Sequence, residues 1–237
     1  MRNFLYFGSV LLGASILYTR SQIQPFAEPA SNALPSADPT PMPNITINAA
    51  RLQSSVAFRT AQFKANDCAI IEGCVSGSGK RNLMKFDVQT PNIGTVDLYL
   101  GNPVNNPLFI FSPCHGHYHL EGYALYELLY LNETAVIVNG TTVIGHKQAF
   151  CLEDYERWDA SAGPAKFTCS NQGISVGWSD TYGSYLDCQW IDVTGVVPGK
   201  YLLRVSINGG PAGPHIFAES DYSDNVATVP VTIPKRF

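Results

Sequence analysis

Three of the five histidines fall at every second position in Cys114-His115-Gly116-His117-Tyr118-His119. In a strand, alternate residues point to one face, so the three imidazoles would share a side. Imidazole is the commonest protein ligand for a transition metal. A straight strand rises about 3.3 Å per residue, which would hold His115 and His119 roughly 13 Å apart. Metal–imidazole bonds are only about 2 Å long. One ion can therefore collect all three rings only if the chain bends within the run, and Gly116 can supply the bend. Three neutral imidazoles with open positions suit zinc or copper. Zinc would make the site hydrolytic and copper would make it a redox or oxygen site; the histidines alone leave both open.

The segments around this run read as strands. Met84 to Val88, Thr95 to Leu100 and Gly116 to Tyr130 are three of them. Ala135 to Val138 and Thr141 to Ile144 flank Asn139-Gly140, a strong hairpin signal. Lys200 to Ile207 alternates, with Tyr201, Leu203, Val205 and Ile207 on one face and Leu202, Arg204 and Ser206 on the other. Val226 to Ile233 is the last. Residues 152 to 190 read as mostly irregular. Twelve Tyr, 12 Phe, 16 Pro and 20 Gly favour strands and turns over helices. The expected fold is mainly β: an antiparallel β-sandwich with long disulfide-braced loops and few short helices.

The chain of 237 residues is long enough for one domain with a full core. Arg2 followed by the apolar run Phe4 to Tyr18 reads as a secretory signal over residues 1–22; that run is short for a membrane span of about 20 residues. Residues 23–43, rich in Pro, Ala and Ser, read as a linker, and 44–237 as the domain. Export gives the six cysteines, Cys68, Cys74, Cys114, Cys151, Cys169 and Cys188, the meaning of three disulfides, with 15 pairings open. Asn44-Ile45-Thr46, Asn132-Glu133-Thr134 and Asn139-Gly140-Thr141 are glycosylation triplets. These features point to a secreted, extracellular glycoprotein with no stable membrane insertion once the signal is cleaved. A net charge of −4 gives no case for nucleic-acid binding.

The histidine run is followed by Gly145-His146-Lys147-x-Ala149-Phe150-Cys151-Leu152-Glu153-Asp154, then by Asp180-Thr181-Tyr182 and Asp187-Cys188-Gln189-Trp190-Ile191-Asp192. Pro198-Gly199-x-Tyr201 and Glu219-Ser220-Asp221-Tyr222-Ser223-x-Asn225 complete the series. With these motifs in this order, residues 44 to 233 resemble the catalytic domain of the lysyl oxidases, secreted copper amine oxidases that act on peptidyl lysine, some in the extracellular matrix. The resemblance implies copper on His115, His117 and His119. It implies a second cofactor, lysine tyrosylquinone (LTQ), made from Lys147 and Tyr182. It implies oxidative deamination of protein lysines or small primary amines by dioxygen, giving aldehyde, ammonia and hydrogen peroxide. A base must remove a proton from the substrate α-carbon, and Asp180 and Asp187, near Tyr182 in the chain, are the candidates.

The resemblance also implies the disulfides Cys68–Cys114, Cys74–Cys188 and Cys151–Cys169. Another pair of the animal enzymes maps to Tyr155-Glu156-Arg157-Trp158 and to Trp178, and both cysteines are absent here. Some members bind calcium at positions matching Asn44, the Ile45 carbonyl, Glu219, Asp221, Asp224 and Asn225, an oxygen-rich set of the kind calcium prefers. Asn44 stands where an Asp is expected, and it also lies in a glycosylation triplet. The position just before the copper motif, a histidine in animal enzymes, is Ser112. Apart from the resemblance, Lys147 reads as a surface lysine and Tyr182 as a turn aromatic. The contrasting function is a catalytically inactive secreted metal-binding β-sandwich module, which has no need of both Lys147 and Tyr182.

Overall fold

The computed structural model describes residues 40–145 and 151–236. The expected signal (1–22), most of the expected linker, and Lys147 with its neighbours lie outside the described residues. In chain order, α1 (Ala49–Ser55) and β1 (Ala57–Phe63) precede α2 (Cys68–Ile71) and β2 (Gly79–Lys85). Then come β3 (Val88–Pro91), β4 (Leu98–Gly101), β5 (Phe109–Ser112), β6 (His117–Leu120) and β7 (Ala124–Leu129). β8 (Ile137–Val138), β9 (Thr141–Thr142) and β10 (Ile144–Gly145) lead to residue 145. After residue 150 follow β11 (Glu156–Arg157), β12 (Gln172–Ile174), β13 (Trp178–Tyr182), β14 (Trp190–Asp192), β15 (Gly199–Ile207) and β16 (Val226–Ile233). The fold is mainly β, and every named strand pairing is antiparallel.

The largest sheet has the order β10-β7-β15-β16; a second has β1-β2-β14 and a third β11-β13-β3. β15 buries Tyr201, Leu203, Val205 and Ile207, the face its alternation assigns to the core. β16 buries Ala227, Val229, Val231 and Ile233. Its Pro230 is exposed and β16 is an edge strand, the place where a missing N–H is tolerated. Apolar side chains of the first two sheets meet in one core, where Leu128, Leu203 and Val229 join Met84 and Ile191. Phe86 packs edge-on against Tyr126 at 5.0 Å. The buried Tyr126 hydroxyl donates to Gln189 Oε1 at 3.1 Å, so this core carries its polar atom with a partner. Gly145 passes so close to Tyr126 and the Trp190 carbonyl that a Cβ there would lie 2.7 Å from Tyr126 Cδ2. At Gly145 the space left by Tyr126 and Trp190 admits no side chain without a shift of its neighbours.

Several sequence expectations need correction. Gly116 to Tyr130 is two strands, because the chain turns at Gly122 with φ +70°. Met84 to Val88 straddles the end of β2 and the start of β3, and Thr95 to Leu100 narrows to β4. Residues 152 to 190 contain β11, β12, β13 and the first residue of β14, so they are less irregular than composition suggests. The Asn139-Gly140 hairpin is present, with φ +51° and +80° at the two turn residues and β8 paired to β9.

The disulfides are Cys68–Cys114, Cys74–Cys188 and Cys151–Cys169, the pairs the resemblance implies. The first fastens α2 to the turn bearing His115. Where the animal pair is absent, Arg157 and Trp178 face each other across β11 and β13. The Arg157 guanidinium stacks 4.8 Å from the Trp178 ring, so a cation–π contact occupies that cross-strand position.

Candidate metal and quinone site

The bend required by the histidine spacing is a hairpin. β5 and β6 pair Ser112 with His117, and the Gly116 N–H donates to the Ser112 carbonyl at 2.8 Å. Gly116 has φ +69°, the left-handed conformation that glycine adopts without penalty. His115 therefore lies in the turn and His117 and His119 on the strand. Their rings approach to centroid separations of 5.9 Å (His115–His117), 5.2 Å (His115–His119) and 4.7 Å (His117–His119).

Hydrogen bonds fix the nitrogens. His117 Nδ1 lies 3.0 Å from the His115 carbonyl. A carbonyl only accepts, so Nδ1 carries the proton and Nε2 of the neutral ring is free to ligate. That Nε2 stands 3.1 Å from His119 Nε2. Two nitrogens bound to one ion at about 2.0–2.1 Å would be about 2.9–3.3 Å apart, so this pair fits a transition metal. His115 directs Nε2 to Glu72 Oε2 at 2.9 Å, leaving Nδ1 as its remaining nitrogen. The site takes its carboxylate from Glu72, 43 residues before His115 in the chain.

His115 and His117 line a cleft of about 290 Å³ together with Glu153, Tyr155, Asp180, Tyr182, Tyr185 and Asp187. The structure thus brings Tyr182, both candidate bases and two of the three histidines to one cavity. Tyr182 ends β13, and its hydroxyl donates to the Cys151 carbonyl at 3.1 Å while accepting from the Cys151 N–H. Burial pushes the Tyr182 phenol well above its usual range, and the Asp180 carboxylate adds to the rise. Tyr185 arches over Gly183, where a Cβ would lie 2.2 Å from its ring, and its hydroxyl meets that of Tyr155 at 3.3 Å.

The two acids differ. Asp180 is buried; its Oδ1 accepts from the Thr181 N–H at 2.7 Å, and its Oδ2 has no hydrogen-bond partner among the described residues. Burial raises its pKa well above the usual carboxylate range, opposed by the Thr181 N–H and assisted by Glu153, Asp154 and Glu156. Asp187 is exposed at the cleft rim. Sequence reasoning missed Glu72, Glu153, Tyr155 and Tyr185. Glu153 sits two residues after Cys151, the residue that holds Tyr182, inside a quoted motif that gave it no role of its own.

The oxygen-rich set at the start and end of the domain is only partly assembled. Asn44, Ile45, Glu219, Asp224 and Asn225 are together, for Asn44 Nδ2 donates to Asp224 Oδ2 at 2.9 Å and the Ile45 N–H to Glu219 Oε2 at 2.6 Å. Glu219 Oε1 also accepts from Asn208 and Asn225. Asp221 is exposed and caps the Ser223 N–H instead. Three buried oxygens of this set lack any hydrogen-bond partner among the described residues: Asn44 Oδ1, Asp224 Oδ1 and Asn225 Oδ1. Buried acceptors without donors are costly, and an oxygen-seeking cation would satisfy all three. Asn44 Nδ2, the atom a glycan would occupy, is engaged with Asp224.

The family model described as lysyl oxidase matches residues 43–236. The chain is 36% identical over 195 residues to lysyl oxidase homolog 2A of Danio rerio, covering 78% of this chain and 25% of that protein. It is 37% identical over 198 residues to lysyl oxidase homolog 2 of Homo sapiens, covering 78% and 24%. The chain thus spans about a quarter of the length of these relatives. Among the described residues no helix is long and apolar enough to cross a membrane.

Proposed function

The chain belongs to the lysyl oxidase family, and from that premise we propose that it is a secreted copper- and quinone-dependent amine oxidase. Its substrates are protein lysines or small primary amines, and dioxygen is its oxidant. The observation that carries this reading is the shared cleft, in which His115 and His117 face the same space as Tyr182, Asp180 and Asp187. His115, His117 and His119 would hold copper, and the two facing Nε2 atoms of His117 and His119 suit that role. LTQ, made from Tyr182 and Lys147, supplies the electrophilic carbonyl through which a primary amine is oxidised to an aldehyde.

The chain's own residues do the rest. The Cys151 backbone holds the Tyr182 ring in one orientation through its hydroxyl. Lys147 is four residues from Cys151, so chain length alone keeps its Cα within about 14 Å of the residue that clasps Tyr182. Glu153, Asp180 and Asp187 make the cleft acidic, which favours entry of an ammonium ion. Asp180 Oδ2, buried and without a hydrogen-bond partner among the described residues, is the atom suited to accept the substrate α-proton. Its raised pKa moves it toward the range in which a general base works best at neutral pH. Asp187, at the rim, attracts the cation rather than abstracting the proton. The sulfurs of Cys151 and Cys169 are joined to each other, so the bridge braces Tyr182's anchor and leaves no thiolate beside the cleft.

Mass spectrometry of a tryptic digest tests the proposal. A crosslinked species joining the peptides that contain Lys147 and Tyr182 is expected after aerobic incubation with copper. Recovery of both peptides unlinked from copper-loaded protein would overturn it.

A further inference from the structure

Glu72 is exposed to only about a quarter of its side-chain surface and has no part in the metal set described above. It stands just after α2, where its N–H donates to the Cys68 carbonyl at 2.8 Å. Cys68 on one side is bridged to Cys114, the residue before His115, and Cys74 on the other side is bridged to Cys188. The first bridge thus fastens the segment before Glu72 to the histidine turn, and the second anchors the segment after it to the chain beyond Tyr182.

Its carboxylate then closes a ring of hydrogen bonds around one residue. Oε2 meets His115 Nε2 at 2.9 Å. Oε1 accepts from the Ser112 hydroxyl at 2.9 Å, and the Ser112 oxygen accepts from the His115 backbone N–H at 3.3 Å. The main chain and the ring of His115 are therefore both tied to the same carboxylate. A carboxylate bonded to one ring nitrogen fixes the tautomer, turns the ring and raises the basicity of the other nitrogen.

We propose that Glu72 is a positioning residue for the metal centre: it holds the proton on His115 Nε2 and presents His115 Nδ1 to the ion, with Ser112 as its brace. The inference rests on the copper reading of His115, His117 and His119 and adds the residue that orients the first of them. Ser112, which departs from the animal pattern, thereby acquires a role as part of the brace.

Copper affinity of the purified chain, measured by competition with a chelator, gives one readout. Glu72→Ala should weaken copper by about 10–100-fold. Glu72→Gln keeps the length and an acceptor for Nε2–H and should restore most of that loss. Electron spin-echo modulation of the Cu(II) form gives the second readout, since it senses the remote nitrogen of each bound imidazole. One of the imidazole signals should change in both variants, because the partner of that remote N–H is altered. Unchanged affinity and unchanged spectra in Glu72→Ala would overturn the inference while leaving the copper reading standing. A Glu72→Gln variant as weak as Glu72→Ala would overturn it in favour of Glu72 as a direct ligand. Wild-type chain that binds no copper would overturn both. Should Glu72→Ala fail to fold, the near-isosteric Glu72→Gln spectrum alone decides: an unaltered remote-nitrogen signal refutes the positioning role.

Discussion

Tyr182 and Cys151 are joined through both backbone groups of the cysteine, for the phenol hydroxyl donates to the Cys151 carbonyl at 3.1 Å and accepts from its N–H. A tyrosine ring in the histidine-lined cleft is thereby tied to Cys151, four residues beyond Lys147 in the sequence. The contact spans 31 residues of sequence, and the Cys151–Cys169 bridge braces its far side. On the proposed quinone reading, Lys147 and Tyr182 would need such a tether, because holding two reactants close replaces a diffusive search.

In the proposed mechanism copper coordination and quinone formation use different residues, so they should separate by mutation. Tyr182→Phe and Lys147→Ala should each abolish amine turnover and the quinone absorbance, with copper content unchanged by metal analysis. Hydrazines should inactivate only the wild type, by trapping the quinone carbonyl. Peroxide release surviving in Tyr182→Phe would remove the basis of the proposed mechanism.

The sequence made the local part of this site legible and left the long-range part hidden. His115, His117 and His119 announced a bend because their spacing is incompatible with one ion on a straight strand, and Gly116 marked where it falls. The alternation of Tyr201, Leu203, Val205 and Ile207 assigned the core face of β15 because it is a period-two pattern over a long strand. Glu72 was invisible because its meeting with His115 crosses 43 residues and is made by the Cys68–Cys114 bridge rather than by any local pattern. β11, β12 and β13 were missed because each is short or half-polar, their register being set by partners distant in the chain. Lys147 and Tyr182 carry no local signal of reactivity, and only the family resemblance singled them out.

Asp180 should control both chemistry and pH response. In the copper-free chain, burial raises its pKa well above the ordinary value of 3.8. A raised acid stabilises the fold below its unfolded pKa, and that contribution is lost as pH rises through the folded value. Stability should therefore decline upward from about pH 4, and Asp180→Asn, uncharged throughout, should flatten that slope in thermal melts. The same variant should retain copper and lose at least about 100-fold in kcat, the scale of general-base removal. A variant with wild-type kcat would transfer the role of base to Asp187.

The Arg157–Trp178 pair offers a stability test. The two residues are cross-strand partners, and antiparallel partners have Cα atoms about 4.5–5.5 Å apart, within the range a disulfide spans. The double variant Arg157→Cys with Trp178→Cys should form a bridge detectable as a mass loss of two hydrogens. Closing a loop of this size contributes about 3 kcal/mol, while the double change removes the cation–π contact, the packing of the partly buried Trp178 against the core and its indole N–H bond to the Gly163 carbonyl. The oxidised double variant should therefore be more stable in denaturant titrations than the same variant in reductant, by about 3 kcal/mol. Two free thiols after oxidation would show that the strands are set differently.

The glycosylation triplets should sort by structure. Asn132 and Asn139 are exposed in turns, whereas Asn44 is buried and its Nδ2 is hydrogen-bonded to Asp224. Expressed through a eukaryotic secretory pathway, the chain should carry glycans at Asn132 or Asn139 and none at Asn44. Site mapping by glycosidase-coupled isotope labelling reads this directly, and an occupied Asn44 would exclude the ion site built around it.

Calcium should reverse a pH effect that the ion-free fold displays. Burial raises the pKa of Glu219 above 4.5, against donors from Asn208, Asn225 and Ile45, and raises that of Asp224 above 3.8. Both groups thus favour the folded state when protonated, and their contribution fades as pH rises through the folded values. In chelator, Tm should fall between about pH 4 and neutrality. A bound dication favours the ionised carboxylates and accepts the three unpartnered oxygens, so saturating calcium should raise Tm at neutral pH and shrink this fall. At a hundredfold excess over Kd the gain is about 2.7 kcal/mol. Asn44→Asp sharpens the test. It removes the donor to Asp224 and sets two carboxylates together, so Tm in chelator should drop, yet the added charge should tighten calcium and enlarge the calcium-induced shift. Equal melting curves with and without calcium at pH 7, in both wild type and Asn44→Asp, would rule out the site.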